Sequence, residues 1–415
     1  MIGRAARRIE VPHALAAVTT IDAASEVPAA RAGLTSGDVA EIWRAVEDLY
    51  RTGVYPGLSF CLRRRGQIVL NRALGHARGH GPDDTAGTPK QLLTPSTPIC
   101  LFSASKAVIA ILVHALAEDG AIALEDRVSH YLPAFAAAGK RAITIADVLA
   151  HRGGFPSVPQ SVLQQPEALL ADWDGIVAAI CAAPAAQHGR SAYHALTAGY
   201  VLGELIQRVT SLPLARYLDR RLRRPLGLGL FRYGLAPAQR GRAALNYVAG
   251  APVSYPFSAL VERALHAPFA EVVRISNGAA FQRAVIPAGN LYADAEGLSR
   301  FYQMLLDGGA YGGRRILQPE TIARLIQPVG RTALDRTLMI PMRYSAGLML
   351  GARPLGLYGP DTAQAFGHLG FMNILGWADP QRELAAALLT TGKAIVGSHL
   401  IPLGRLLSTI AQRCA

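Results

Sequence analysis

Residues 101–106 read Leu101-Phe102-Ser103-Ala104-Ser105-Lys106 and continue directly into an apolar run from Ala107 to Leu116. The run is apolar on nearly every helical face, which predicts a helix buried in the middle of the molecule. Ser103 and Lys106 are three residues apart, so on one helix face the lysine amine can reach the serine oxygen. This spacing is typical of a nucleophile and its general base. The structural alternative is a helix-capping serine followed by an incidental lysine.

The start of a buried helix favours a serine nucleophile and a lysine base in two ways. Backbone N–H groups and the positive end of the helix dipole lie beside a serine in the first turn, and both favour a developing oxyanion. Burial also lowers a lysine pKa, which leaves part of Lys106 neutral, the form that a general base needs. The pairing is informative because the chain has few lysines, namely Lys90, Lys106, Lys140 and Lys393.

Length and composition indicate an ordinary globular protein. A chain of 415 residues with 51% hydrophobic content can bury a sizeable core and should form one large or two intimate domains. The net charge of +13 comes mostly from scattered arginines, and the clusters Arg63–Arg65 and Arg220–Arg224 are typical of solvated turn and helix faces. We therefore expect no nucleic-acid partner.

The cysteines and the N-terminus bear on location and cofactors. The four cysteines are far apart in the sequence and fit neither a disulfide framework nor a zinc site, which favours buried thiols in a reducing compartment. Basic residues near the start resemble a signal peptide, but Glu10, Pro12 and His13 interrupt its apolar core, so we expect a cytoplasmic protein. No apolar stretch is long enough to span a membrane. Glycines around His76 and His80 argue against a helical metal pair, and we expect no metal or cofactor.

The hydrophobic pattern places strands at both ends of the chain. Residues 1–36 lack periodicity and are predicted to be an N-terminal arm, and Gly37 to Tyr50 has the pattern of an amphipathic helix. Two short β-rich runs, Leu58 to Leu62 and Gln67 to Leu70, predict a hairpin. A glycine- and proline-rich loop is predicted from Gly75 to Pro98.

The last third of the chain returns to strands. We predict adjacent antiparallel strands around Ala365 to Gly370, Ile374 to Trp377 and Leu384 to Leu389, covered by a closing helix from Leu400 to Ile410. Helices and loops fill the middle, which suggests one sheet built from both termini with a helical domain inserted. The predicted division is an arm at 1–36, an α/β domain at 37–100 and 285–415, and a mostly helical domain at 101–284.

Three separated elements carry a family resemblance. Besides Ser103-Ala104-Ser105-Lys106, the chain has Tyr193-His194-Ala195 where a Tyr-x-Asn motif would stand, and His368-Leu369-Gly370 where Lys-Thr-Gly would stand. From about Gly53 to its end the sequence resembles the serine β-lactamase and penicillin-binding-protein superfamily, and it is most similar to the family VIII carboxylesterases. The turn Leu149 to Gly154 and the block Ile286 to Asn290 also resemble this family.

The resemblance implies a fold and a set of site residues. The fold would be β-lactamase/DD-peptidase-like, an antiparallel sheet flanked by helices with an inserted helical domain, and the active site would lie in the cleft between the α/β domain and the helical domain. The implied catalytic residues are Ser103, Lys106 and Tyr193, and the implied oxyanion donors are the backbone N–H groups of Ser103 and Phe371. The implied substrate-binding residues are His368, Leu369 and Gly370, with Leu369 and Met372 narrowing the pocket. Tyr193 taken alone is typical of packing.

Two departures from the lactamase pattern predict the substrate. His368 is a weaker anion partner than a lysine because it is largely neutral at pH 7. Ala195 cannot hydrogen-bond through its side chain, unlike the asparagine of lactamases. Both changes favour hydrolysis of small carboxylic esters through an acyl-enzyme on Ser103. The open alternatives are a β-lactamase or DD-peptidase-like amide hydrolase, an acyltransferase, or a binding or assembly protein with a vestigial site.

Two other interpretations are set aside. The chain contains no Gly-x-Ser-x-Gly, which argues against an α/β-hydrolase. Thr390-Thr391-Gly392-Lys393 contains the letters of Lys-Thr-Gly reversed and is interpreted as a turn at a strand end. The sequence leaves the acyl and alcohol preference and the oligomeric state open.

Overall fold

The largest sheet joins the two ends of the chain. The computed structural model describes residues 6–157, 170, 172–186, 188–265, 267–371 and 373–415. In spatial order the strands are β1 (Thr19–Ile21), β3 (Gln67–Arg78), β2 (Gly57–Arg64), β18 (Leu384–Thr390), β17 (Ile374–Asp379), β16 (Phe366–Gly370) and β13 (Met349–Leu350), with β4 (Gln91–Leu92) beside β3. All neighbours are antiparallel, and the β2–β18 pairing confirms the prediction of one sheet built from both termini.

Helices cover both faces of this sheet, which explains why its central strands are apolar on both sides. Phe60 and Leu388 face the layer formed by α1 (Ser36–Tyr50) and α14 (Leu400–Arg413), which pack against each other. On the opposite face α12 (Ala295–Leu306) packs across β2, β17 and β18. The predicted closing helix is thereby confirmed.

The nucleophile segment lies in a second, helical layer. A 3₁₀ turn at Phe102–Ala104 leads into α2 (Ser105–Glu118), whose residues are buried from Ser105 to Leu116. The helix packs against α6 (Thr197–Thr210). Such all-round burial is what the apolar run predicts, since no helix face is left for water.

The remaining elements are short. The helices are α3 (Val128–Tyr131), α4 (Ile145–Leu149), α5 (Trp173–Ala182), α7 (Leu214–Leu218), α8 (Pro237–Arg240), α9 (Phe257–Leu265), α10 (Phe269–Asn277), α11 (Ala279–Arg283) and α13 (Pro319–Leu325). The strands are β5 (Ile99–Cys100), β6 (Arg232–Tyr233), β7 (Tyr247–Val248), β8 (Leu291–Ala293), β9 (Ala310–Tyr311), β10 (Arg314–Arg315), β11 (Ala333–Leu334), β12 (Pro341–Met342), β14 (Leu355–Gly356), β15 (Gly359–Pro360) and β19 (Gly392–Lys393).

Two local predictions differ from the structure. The segment expected to be an N-terminal arm contributes β1 to the sheet and buries Leu15 and Val18, because a few well-placed apolar residues suffice for packing without periodicity. The predicted loop after Leu74 is shorter, since β3 continues to Arg78. The domain division at residues 36, 100 and 284 stays a prediction.

Lys393 is a buried lysine at the end of the main sheet. Thr390 is the last residue of β18, as the interpretation of a strand end predicts, but Gly392 and Lys393 do not form a turn: they form β19, which pairs in parallel with β7. The Nζ donates to the Thr390 carbonyl at 2.5 Å and lies 5.1 Å from the centre of the Phe102 ring. Burial lowers the pKa of Lys393 from its ordinary value of 10.5 to about 7.

We expect Lys393→Met to change the pH dependence of stability. Between pH 7 and 10.5 the unfolded chain binds a proton at this lysine that the folded chain has lost, so the free energy of unfolding rises with pH. The slope contributed is on the order of 1 kcal/mol per pH unit. Urea unfolding at pH 7, 8 and 9 should give a flatter profile for the variant. Lys90→Met, which removes an exposed amine, is the control, and parallel profiles for Lys393→Met and the wild type would contradict the expectation.

Candidate active site

The Lys106 amine lies among three oxygen atoms at the start of α2. Its Nζ is 3.2 Å from Ser103 Oγ, 2.6 Å from the Ala195 carbonyl oxygen and 3.2 Å from the Ala288 carbonyl oxygen. Burial holds the Lys106 pKa well below its ordinary value of 10.5. A neutral amine has two N–H bonds and one lone pair, so donation to the two carbonyls leaves the lone pair for the Ser103 hydroxyl.

Ala195 and Ala288 bring two distant segments to this amine. Both alanines use their backbone carbonyls, so neither contact depends on the side chain. Ala288 belongs to the block from Ile286 to Asn290, in which Asn290 fixes the turn by accepting from the Ile286 N–H and donating to the Ala284 carbonyl. The Lys106 contacts were not predicted from the sequence, since a backbone acceptor can be any residue.

Tyr193 lies across the same amine. The centre of its ring is 4.8 Å from Lys106 Nζ. Burial raises the Tyr193 pKa well above its ordinary value of 10, although Ser103 beside the hydroxyl acts to lower it, so the hydroxyl is protonated at neutral pH. The structure therefore brings Ser103, Lys106 and Tyr193 together.

Asp335 holds the backbone of the Tyr193 segment through hydrogen bonds, and the sequence analysis did not predict this residue as part of the site. One carboxylate oxygen accepts from the backbone N–H groups of Tyr193 (3.1 Å), Thr337 (2.9 Å) and Leu338 (2.9 Å). The other accepts from the Tyr344 hydroxyl at 3.0 Å. Asp335 is fully buried, so these donors are what satisfy its charge. Its local signal, an aspartate two residues before a threonine, is that of any Asx turn.

Asp335→Asn is expected to reduce kcat about tenfold or more. The amide nitrogen of the asparagine would lie against N–H or O–H donors that now meet a carboxylate oxygen, which weakens the hydrogen bonds that hold the Tyr193 backbone in place. The variant should remain folded with a lowered melting temperature. Asp379→Asn is the matched control, since Asp379 is equally buried but pairs with Arg382 at the far end of β17. Equal losses of kcat in both variants would contradict a specific role for Asp335.

Two histidines behind Tyr193 were not predicted as site residues either. The His194 N–H donates to His151 Nδ1 at 3.2 Å, and the Phe155 N–H donates to His194 Nε2 at 3.2 Å. Burial lowers the pKa of both rings, that of His194 to about 3, so both are neutral acceptors. They stabilise the shape of the Tyr193 segment and carry no charge into the site.

The edge of β16 lies beside the Ser103 turn. A Cβ added to Gly370 would lie 2.2 Å from the Leu101 carbonyl oxygen, so only glycine permits this approach. The Phe371 ring is 5.0 Å from the Phe102 ring, while Leu369 is partly buried against Tyr193 and its neighbours. Met372, also predicted to narrow the pocket, lies outside the described residues.

His368 lies on the same strand and is buried. Its Nδ1 is 2.7 Å from the Leu369 carbonyl oxygen, and its ring centre is 6.2 Å from that of Tyr193. Burial lowers the His368 pKa from its ordinary value of 6.5 to about 3. The ring is therefore neutral at pH 7, so it supplies no positive charge to a substrate carboxylate.

The described part of the chain contains no group of three side chains able to hold a metal ion, although the His76 and His80 rings lie 4.8 Å apart. Among the same residues no helix has the length and apolar character needed to cross a membrane.

The antiparallel sheet is built from strands of both ends of the chain, and the Ser-x-x-Lys segment lies beside it at the start of α2. This combination defines a serine hydrolase of β-lactamase fold. The family profile agrees: the chain belongs to the Beta-lactamase family, which it matches over residues 42–401.

The names of individual relatives state different activities. The chain is 30% identical over 301 residues to the Esterase/beta-lactamase LipL of Mycobacterium tuberculosis, covering 70% of this chain and 68% of LipL. A crystal structure of a family VIII carboxylesterase matches with a TM-score of 0.76 and 27% identity, covering 92% of this chain and 99% of the other. A Putative D-alanyl-D-alanine carboxypeptidase of Salmonella gallinarum is 24% identical over 356 residues, covering 81% of this chain and 78% of the relative. These matches confirm the predicted superfamily and fold.

Proposed function

We propose that this protein is a carboxylesterase that hydrolyses small carboxylic esters through an acyl-enzyme on Ser103. The observation that carries the proposal is the 3.2 Å separation of Ser103 Oγ from a buried Lys106 amine whose pKa is well below its ordinary value. The names of LipL and of the family VIII carboxylesterase support ester hydrolysis for this chain.

In the first step Ser103 Oγ attacks the ester carbonyl and its proton passes to the Lys106 lone pair. The Ala195 and Ala288 carbonyls accept the two N–H bonds of the neutral amine and so aim the lone pair at Ser103. As the tetrahedral intermediate collapses, Lys106 and Tyr193 return the proton to the leaving alkoxide. Water then attacks the acyl-enzyme while the same pair takes its proton; the bond between the acyl carbon and Ser103 Oγ breaks, the proton returns to Ser103 Oγ, and the acid leaves.

The oxyanion is assigned to the backbone N–H groups of Ser103 and Phe371. Support comes from the close approach of Gly370 to Leu101, which brings the end of β16 beside the first turn before α2. A second donor at this place would stabilise the charge that develops on the carbonyl oxygen.

Esters fit this site better than β-lactams for two reasons. Ala195 contributes only its backbone carbonyl, which Lys106 already occupies, so it supplies no side-chain group for an amide substituent. His368 is neutral at pH 7 and has no charge to pair with the carboxylate of a penicillin. A small ester has neither an amide substituent nor a carboxylate, so it requires neither contact.

A substrate panel tests the proposal. The purified protein should hydrolyse p-nitrophenyl acetate and butyrate with a kcat/KM at least about a hundredfold above that for a chromogenic cephalosporin or a D-alanyl-D-alanine peptide. A fluorophosphonate should label it stoichiometrically. Faster turnover of the cephalosporin or the peptide would move the assignment to an amide hydrolase, which the name of the Salmonella relative makes the main alternative.

The same assay addresses the remaining alternatives. Adding an alcohol as acyl acceptor should not raise the rate of p-nitrophenol release, whereas a rise with formation of the new ester would indicate an acyltransferase. A protein that neither reacts with fluorophosphonate nor releases p-nitrophenol would be a binding or assembly protein.

A further inference from the structure

A groove beside the segment that carries Tyr193 is lined by arginines. It has a volume of about 380 Å³, and its walls are the loop that carries Arg152, the segment Gly189 to Ser191, and the β11–β12 hairpin with the residues before it. Four of its lining residues are Arg152, Arg190, Arg331 and Arg336. No aspartate or glutamate is among the described lining residues.

Arg152 bridges the two walls of this groove. Its Nε donates to the Gly189 carbonyl at 3.0 Å, and its Nη1 would lie 3.6 Å from a Cβ added to Gly330 on the opposite wall. Arg336 is fixed at its backbone, since its N–H donates to the Ser191 carbonyl at 3.1 Å. Arg190, Arg331 and Arg336 have exposed side chains. The groove thus carries guanidinium groups on a framework held by backbone hydrogen bonds.

The guanidinium groups of this groove have no carboxylate partner among the residues that the structure describes. Within the described residues none of its four arginines forms an ion pair. Asp335, a buried carboxylate between the lining residues Leu334 and Arg336 in the sequence, already accepts from backbone N–H groups and the Tyr344 hydroxyl.

A second arginine-lined groove provides the contrast. It contains Arg216, Arg223, Arg224 and Arg232, but Asp219 lines it as well and forms ion pairs with Arg223 and Arg224. Arginine-rich composition alone therefore does not produce an unpaired cluster at every groove of this chain.

We propose that the groove of Arg152, Arg190, Arg331 and Arg336 is an anion-binding site for a phosphate or carboxylate group. Guanidinium groups bind both oxyanions through paired N–H···O hydrogen bonds, and four of them in one concave site favour an anion more than a single surface arginine would. The inference goes beyond ester hydrolysis and does not depend on it. The anion is either a free one or the charged end of a longer ligand.

The groove shares its inner wall with the candidate active site. Ser191 lines the groove and is two residues before Tyr193, while Tyr344 lines it and donates its hydroxyl to Asp335. An anion bound there would lie against the segment that positions Tyr193, which makes an effect on turnover measurable.

Calorimetric titration of the full chain with inorganic phosphate, and separately with glutarate, tests the site at low ionic strength. We expect saturable binding that weakens about tenfold or more in the double variant Arg331→Gln/Arg336→Gln. The control Arg216→Gln/Arg220→Gln removes the same net charge from another surface and should bind like the wild type. Absent binding of both anions, binding unchanged in the first variant, or equal weakening in both variants would overturn the proposal.

A kinetic arm distinguishes the two sources of the anion. If the anion is the charged end of a substrate, mono-p-nitrophenyl glutarate should have a higher kcat/KM than p-nitrophenyl butyrate, and Arg331→Gln/Arg336→Gln should abolish that preference. A free anion predicts no preference but saturable phosphate binding. Since the titration needs no turnover, an inactive protein that still binds phosphate would contradict the esterase proposal and leave the anion site supported.

Discussion

Ser103→Ala is expected to lower kcat/KM for p-nitrophenyl butyrate by at least about a thousandfold, because the proposed acyl-enzyme forms on Ser103 Oγ. The loss should fall on kcat, since the groups that would bind the ester stay in place. Fluorophosphonate labelling should disappear as well. Initial rates at saturating ester, with intact-mass analysis after labelling, measure both effects.

The chain supplies a matched control for this change. Ser105 is only two residues away, but it is fully buried and its Oγ accepts from the Leu291 N–H at 3.1 Å. Ser105→Ala should therefore lower the melting temperature and keep kcat within about tenfold of the wild type. Esterase activity that survives in Ser103→Ala, or vanishes equally in Ser105→Ala, would eliminate Ser103 as the nucleophile.

Lys106→Met should have the second-largest effect, a loss of about 10²- to 10⁴-fold in kcat/KM, because it removes the general base while roughly preserving side-chain volume. Lys140→Met is its control. Lys140 is a fully buried lysine whose Nζ donates to the Ala183 carbonyl, so its loss tests for a general effect of removing a buried amine. Similar losses in both variants would remove Lys106 from the mechanism.

The pH profile gives an independent measure of the same group. Since only the neutral amine accepts the Ser103 proton, kcat/KM should rise as Lys106 loses its proton and then level off. Burial lowers the Lys106 pKa, so the rise should be centred well below pH 10.5. A rise centred at the ordinary lysine pKa would contradict the buried, neutral base.

The sheet could be predicted because its strands are strongly patterned. The short β-rich runs of the first hairpin and the turn between two apolar runs at residues 374–389 are local signals, and each specified its own pairing. The N-terminal strand β1 could not be found in this way, since three residues on an edge carry no periodicity of their own.

In the candidate site, too, the residues placed by local geometry could be predicted, and those placed by tertiary packing could not. Ser103 and Lys106 were predictable because they are three residues apart along a continuous segment, a 3₁₀ turn that leads into α2, so local geometry brings their side chains together. Asp335 and the Ala195 and Ala288 carbonyls reach the site only through tertiary packing, and a backbone oxygen leaves no trace in residue identity. The assignment of Phe371 as an oxyanion donor stays a prediction.

The pairing of β2 with β18 also governs how this chain must fold. The Gly57 N–H donates to Thr391 Oγ1 at 2.8 Å across 334 residues of sequence. During synthesis the edge of β2 therefore stays uncovered until β18, near the end of the chain, has been made. Such long-range closure is slow and leaves an apolar strand edge open to other chains, so we expect refolding yields to fall steeply as protein concentration rises.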